Sequence, residues 1–194
     1  KRFNLNYVKR IGFSGDENLL AVKRVGRDEI KGYAALWGNE KSVDLEGEFF
    51  TPATDFWDNA LGLPRALTWD HALDSTMKAP PVIGYIREMG NDDIGRWYVA
   101  QLERNHAYRK AVDALIDTGA IGTSSDSAPQ YVVREPRGKS VWLKQWPLFA
   151  AALTTTPCEP RMLSEGSLVW KTVSQSLSEQ LRLPDGTRLD NRQL

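Results

Sequence analysis

The sequence predicts an α+β domain that is mainly β: an antiparallel barrel, closed or nearly closed, with helices around it and one more helix at the C-terminal end. Short runs with strand character recur along the first 155 residues, bounded by Gly, Pro, Asn and Asp. Turn-rich connections are short enough to pair many of these runs with their sequence neighbours. One amphipathic helix interrupts them, with a single apolar stripe suited to packing on the outside of a sheet.

Taken in order, Leu19-Leu-Ala-Val-Lys-Arg-Val25 and Ile30-Lys-Gly-Tyr-Ala-Ala-Leu-Trp37 read as strands. Thr51 can cap a helix over 52–61 that opens on Pro52, a residue suited to the first helical position. Ala66-Leu-Thr-Trp-Asp-His71 is strand-like and leads into a loop rich in polar and proline residues, up to Pro81. Val82-Ile-Gly-Tyr-Ile-Arg87 and Gly95-Arg-Trp-Tyr-Val-Ala-Gln-Leu-Glu103 form a hairpin across a turn at 89–94. Asn105 can cap the second helix. Its stripe is Tyr108, Ala111, Val112, Leu115 and Ile116, and Gly119 closes it. Tyr131-Val-Val-Arg134 and Lys139-Ser-Val-Trp-Leu-Lys-Gln-Trp146 form a second hairpin across Pro136-Arg-Gly138, and Leu148-Phe-Ala-Ala-Ala-Leu-Thr-Thr155 reads as a crowded, buried strand. Pro157-Cys-Glu-Pro160 ends the barrel unit, 1–160. The remainder, 161–194, reads as an apolar-striped helix over 163–181 followed by a polar tail.

Composition narrows the function. The chain of 194 residues carries 25 Lys+Arg and 25 Asp+Glu, a formal net charge of zero. A nucleic-acid binder needs a basic surface to neutralise phosphates, so this class is set aside, and electrostatic docking on a membrane with it. No apolar run approaches the ~18 residues of a membrane-spanning helix. Two histidines and one cysteine, Cys158, are too few for a standard zinc site or an internal disulfide, so no metal and no cofactor is expected. A reducing cytoplasm suits the single thiol. No signal peptide is apparent, and Lys1 in place of Met reads as a trimmed start. Trp37, Trp69, Trp97, Trp142 and Trp146 fall in strand-like runs and are read as packing residues.

The residues that could do chemistry are few. His71 stands at the end of a strand beside a loop, well placed to reach a substrate. Ser124 and Ser125 lie on a short strand directly after the second helix, and neighbours on a strand point to opposite faces, so only one can meet His71. A hydroxyl and an imidazole in contact are the minimum apparatus for nucleophilic acyl transfer. Each has a plainer reading: a satisfied histidine, and a serine pair that serves turn or edge chemistry. His106, at a helix start, reads as a surface residue.

Five segments, in order, resemble the prohead (head maturation) proteases of tailed phages. They are Gly32-Tyr-Ala-Ala-Leu-Trp37, Asp44-Leu-Glu-Gly-Glu48, Trp69-Asp-His71 with Ile83-Gly84 after it, Gly119-Ala-Ile-Gly-Thr-Ser-Ser-Asp-Ser-Ala-Pro129, and Trp146-Pro-Leu-Phe-Ala-Ala-Ala-Leu-Thr-Thr-Thr-Pro157. The resemblance implies the fold of the herpesvirus assemblins and a serine endopeptidase, a hydrolase acting on peptide bonds. Ser124 would then be the nucleophile and His71 the general base. Oxyanion candidates are Gly122, Ser125 and Arg161. Substrates would be segments of the major capsid protein and scaffold, cleaved in the host cytoplasm inside the assembling prohead as the virion matures, with self-cleavage a further expectation. The apolar stripe of the helix over 163–181 would either associate copies into a homodimer or a higher oligomer, or pack within its own chain.

Departures from the family pattern matter as much. Ala150 stands where the family's closing strand carries Glu, the third triad position. Ala152 replaces a common Ser, and Asp126 a common Gly. Either a different acid orients the imidazole, with Asp70 and Asp126 the candidates, or the position was altered to prevent self-cleavage. The remaining reading is a catalytically inactive protease-like barrel that acts as a scaffold or capsid-interaction module.

Overall fold

A computed structural model of the chain describes residues 21–73 and 81–163. The helix expected over 163–181 and the polar tail lie outside the described residues, Leu163 apart.

The described part is mainly β. Ten strands form two sheets: β1 (Lys23–Arg24), β2 (Glu29–Leu36), β3 (Glu48–Phe49), β4 (Arg65–Trp69), β5 (Val82–Asn91), β6 (Gly95–Leu102), β7 (Gly122–Asp126), β8 (Val133–Arg137), β9 (Ser140–Gln145) and β10 (Ala150–Thr154). Seven of them form one sheet in the order β1-β2-β6-β5-β4-β10-β7, and β3, β9 and β8 form the second. The large sheet curls into a half-barrel. Its last strand, β7, comes back against β2 without pairing to it. The Tyr98 hydroxyl of β6 meets the Thr123 hydroxyl of β7 at 2.8 Å across the interior.

Two features differ from the antiparallel barrel expected. The sheet is mixed, because β10 runs parallel to β4, with Ala150 opposite Ala66 and Leu153 opposite Trp69; β3 and β9 are also parallel. Parallel neighbours need a long crossover, and the chain between β4 and β10 supplies one containing two hairpins, a helix and β7. Among the described residues the wall is also left open, since β1 and β7 end the large sheet.

Both hairpins form, with tighter turns than expected: β5 runs on through Asn91, which leaves 92–94 for the first turn, and β8 takes in Pro136 and Arg137. Asp92 closes the β5–β6 turn by accepting the backbone N–H groups of Ile94 and Gly95 at 2.8 and 2.9 Å. Gly138, at φ 63°, closes the β8–β9 turn. The amphipathic helix forms as α2 (Arg109–Asp117), which buries Val112 and Ile116, and Gly119 follows it at φ 65°. Asn105 lies before the helix and does not cap it; Tyr108 holds that position.

The helix expected over 52–61 is reduced to one turn, α1 (Asp58–Leu61). Thr51 does not cap it. Instead Thr51 and Thr54 close a tight turn, in which the Thr51 N–H donates to Thr54 Oγ1 and the Ala53 N–H to Thr51 Oγ1. The next residues pair with β9: the Asp55 N–H donates to Lys144 O at 3.0 Å, and the Trp146 N–H to Asp55 O at 2.9 Å. A backbone committed to a neighbouring strand cannot also close helical turns.

Ile30, Leu67, Ile86, Tyr98, Ile121, Leu148 and Leu153 are fully or almost fully enclosed in the core between the sheet and α2. Trp37, Trp69 and Trp146 pack against it half-buried, and Trp97 joins a smaller cluster with Tyr33, Leu36 and Met162. At Gly84 the backbone of β6 leaves no room for a side chain, for a Cβ there would lie 2.5 Å from the Gln101 carbonyl oxygen. Gly84→Ala is therefore expected to lower the denaturant midpoint, by about 1–3 kcal/mol of stability, with the slope of the transition unchanged.

Candidate active site

The site is built where three adjacent strands of the large sheet end or begin. β7 and β10 are antiparallel partners, with Ser124 opposite Ala152 and Asp126 opposite Ala150. Alternation along a strand puts Ser124 and Asp126 on one face of β7, and Thr123 and Ser125 on the other. Facing residues share that surface, so Ala150 and Ala152 form a floor of small side chains beneath the serine and the acid. Ala152 is wholly buried.

His71 arrives from β4, with β10 lying between its strand and β7, so the imidazole and the hydroxyl belong to one sheet and not to facing strands. The strand stops at Trp69. Asp70, His71 and Ala72 then take φ values of 44°, 57° and 61°. Three successive non-glycine residues in the left-handed region are uncommon, and such strain persists only where surroundings enforce it. Here Thr154 of β10, almost fully buried, donates its hydroxyl to Asp70 Oδ1 at 2.8 Å. The turn so held brings His71 to Asp126, whose Oδ1 is hydrogen-bonded to His71 Nδ1. Both side chains remain about 30% exposed, at 28% and 31%.

This resolves the two acids left open by sequence. Asp126 is the one on the ring, while Asp70 is engaged by Thr154 and adds only its charge nearby. The hydrogen bond from Asp126 is the main force raising the His71 pKa above its ordinary 6.5, opposed by partial burial and supported by the charges of Asp126 and Asp70. An Nδ1–H directed at a carboxylate leaves Nε2 as the basic nitrogen.

A cleft of about 460 Å³ opens beside the pair. Ala34, Ala35 and Leu36 of β2 form one wall and Thr123, Ser124 and Ser125 of β7 another, so the cleft occupies the gap where the half-barrel fails to close. His71 stands at its edge, and Phe49, Phe50 and Trp146 give it an aromatic side. Ser124 and His71 thus face one cavity, and no hydrogen bond joins them directly.

The oxyanion candidates divide. Ser125 and Arg161 line the cleft. The Arg161 guanidinium is already held by Glu159, with Nε to Oε1 at 2.9 Å and Nη2 to Oε2 at 2.6 Å. Gly122 does not reach the cleft; it is small because Pro157 and Met162 crowd it, and a Cβ would sit 2.9 Å from Pro157 Cγ. Sequence reading missed Thr154, whose role depends on a pairing register that no local motif displays. The segment 44–48, singled out in the sequence without a place in the site, forms the acidic end of the cleft. There Asp44 accepts the N–H groups of Glu46 and Glu48, both at 2.9 Å, and burial pushes its carboxyl pKa up. Cys158 lies beside it, its thiol pushed up to about 12 by burial and by Asp44 and Glu46. That thiol is protonated at neutral pH and is no nucleophile. His106 accepts the Tyr108 N–H and lies outside the cleft.

No family model matches the chain. No curated protein matches it either. A solved structure of the KSHV protease in complex with a hexapeptide phosphonate inhibitor is similar to it at 12% identity, over 85% of this chain and 83% of that one, with a TM-score of 0.39. A likeness that loose carries no functional argument, and the chemistry rests on the site itself.

Because Asp126 raises the folded-state pKa of His71 above 6.5, the pair's contribution to stability is whole at pH below that value and fades as pH rises through the raised one. Asp126→Asn should bring the imidazole titration, followed by NMR, down towards or below 6.5. It should also flatten the loss of stability across that window.

Proposed function

We propose that the chain is a serine endopeptidase in which Ser124 is the nucleophile, His71 the general base and Asp126 the residue that orients the imidazole. One observation carries the reading: a histidine held by a carboxylate through Nδ1 stands on the edge of a cleft that a strand-borne serine also lines. In the proposed reaction His71 Nε2 takes the Ser124 hydroxyl proton as Oγ attacks a peptide carbonyl, and the imidazolium formed is stabilised by Asp126. The proton then passes to the leaving amine. Water, deprotonated by the same nitrogen, releases the acyl group and regenerates the serine. The base must be neutral to act, so activity should rise with pH through the elevated His71 pKa.

The five motif segments support a narrower role, head maturation in a tailed phage, with capsid-protein and scaffold segments as substrates. A second reading, an inactive barrel serving as a scaffold or capsid-interaction module, is favoured by two observations: Ala150 at the usual acid position, and the missing hydrogen bond between Ser124 and His71.

A fluorophosphonate probe separates the two. It should label the chain at Ser124, and Ser124→Ala should not be labelled. Asp126→Asn should slow labelling and peptide hydrolysis by about 10⁴-fold, the loss seen when a triad histidine is left in the wrong tautomer. A wild-type chain that neither labels nor cleaves unstructured protein would establish the inactive barrel.

The facing pair 126/150 allows a sharper measurement. Adding Ala150→Glu to Asp126→Asn places a carboxylate on the same patch of sheet from the other strand, and should restore at least about tenfold of the lost rate. Two separate losses that simply add would contradict the orienting role of Asp126.

A further inference from the structure

Away from the cleft, two arginines are buried around a single carboxylate. The side chains of Arg65 on β4 and Arg96 on β6 are only 4% and 5% exposed. Each nitrogen of Arg65 has an acceptor: Nε donates to Gly62 O at 3.0 Å, Nη1 to Leu148 O at 2.9 Å, and Nη2 to Asp58 Oδ1 at 3.2 Å. Arg96 is not. Its Nη1 donates to Asn91 Oδ1 at 2.8 Å and its Nη2 to the same Asp58 Oδ1, while its Nε–H is buried with no acceptor. The guanidinium lies 4.8 Å over the Phe56 ring.

Two guanidinium groups against one carboxylate leave one positive charge uncompensated on side chains that are themselves almost wholly buried. Buried charge without a partner is costly, and a buried donor without an acceptor adds to the cost. Burial, and the charge of Arg65, push the Arg96 pKa below its ordinary value, although Asp58 opposes them. The group is also reachable. Two surface hollows, of about 520 and 470 Å³, share Asp58, Asn91 and Arg96 in their linings, one with Asn59 and Ala60 beside them and the other with Gly62 and Leu63. Asp58 itself is half exposed and stands at the mouth of both.

We propose that this cluster is a binding site for an oxyanion, a carboxylate or a phosphate group, that enters along α1, accepts the Arg96 guanidinium and completes the charge balance. Planar guanidinium donors suit both groups, and one monovalent oxyanion beside Asp58 brings the cluster to neutrality. The site shares no lining residue with the catalytic cleft, so it stands or falls independently of the protease reading.

The test titrates arginine-¹⁵N-labelled full-length protein with inorganic phosphate, with acetate and with chloride at matched ionic strength, following the Arg96 Nε–H resonance. A saturable shift with phosphate, acetate or both, which chloride does not reproduce, is the expected result. Phosphate alone identifies a phosphate site and acetate alone a carboxylate site. The melting temperature should rise with the same concentration dependence. Asp58→Asn removes the competing anion and should tighten binding about tenfold. If that variant does not fold, the wild-type titration decides. A shift that never saturates, or that chloride matches, overturns the proposal.

Discussion

Every contact in the candidate site depends on the register between β7 and β10. That ladder sets Asp126 opposite Ala150 and Ser124 opposite Ala152, and through Thr154 it also anchors Asp70 at the far side of β10. A slip of one residue would turn Ser124 and Asp126 to the opposite face and put Thr123 and Ser125 in their place. The register is secured by burial. Ala151, Ala152 and Leu153 are fully enclosed, and Thr123 is pinned by the Tyr98 hydroxyl, so a shifted pairing would strand apolar and hydrogen-bonded groups together.

The acid on the imidazole shows how two strands of one ladder offer alternative sources for a single interaction. An antiparallel pair offers two backbone positions, about 5 Å apart, that project onto the same patch of sheet. A carboxylate on either can reach one ring nitrogen if the histidine is suitably turned. Here β10 contributes a methyl group and β7 the acid. The backbone reversal at 70–72, held by a buried threonine, aims the ring at β7.

Much of this was legible in the residues. Hairpins announced by Asp92 and Gly138, and the helix closed by Gly119, were readable because turn chemistry is local. His71 and Ser124 stood out because the chain has two histidines and one strand-borne serine pair. Asp126 was legible only as one of two acids, since choosing it requires knowing that β7 lies beside β10 and that β4 ends in a left-handed turn. The false helix at 52–61 came from Thr51 and Pro52, which serve a tight turn as well as a helix start; pairing of Asp55 with β9 then decided the outcome. The parallel β4–β10 contact was hidden for a similar reason. Partners more than eighty residues apart leave no trace in either strand alone.

The half-buried thiol at the acidic end of the cleft has a consequence for how this protein meets its surroundings. A sulfur whose proton is favoured by partial burial and by the neighbouring Asp44 and Glu46 carboxylates is expected to react slowly with oxidants, alkylating agents and mixed-disulfide partners alike. It is the chain's sole cysteine, so the opening between β2 and β7 is chemically quiet towards thiol-seeking compounds.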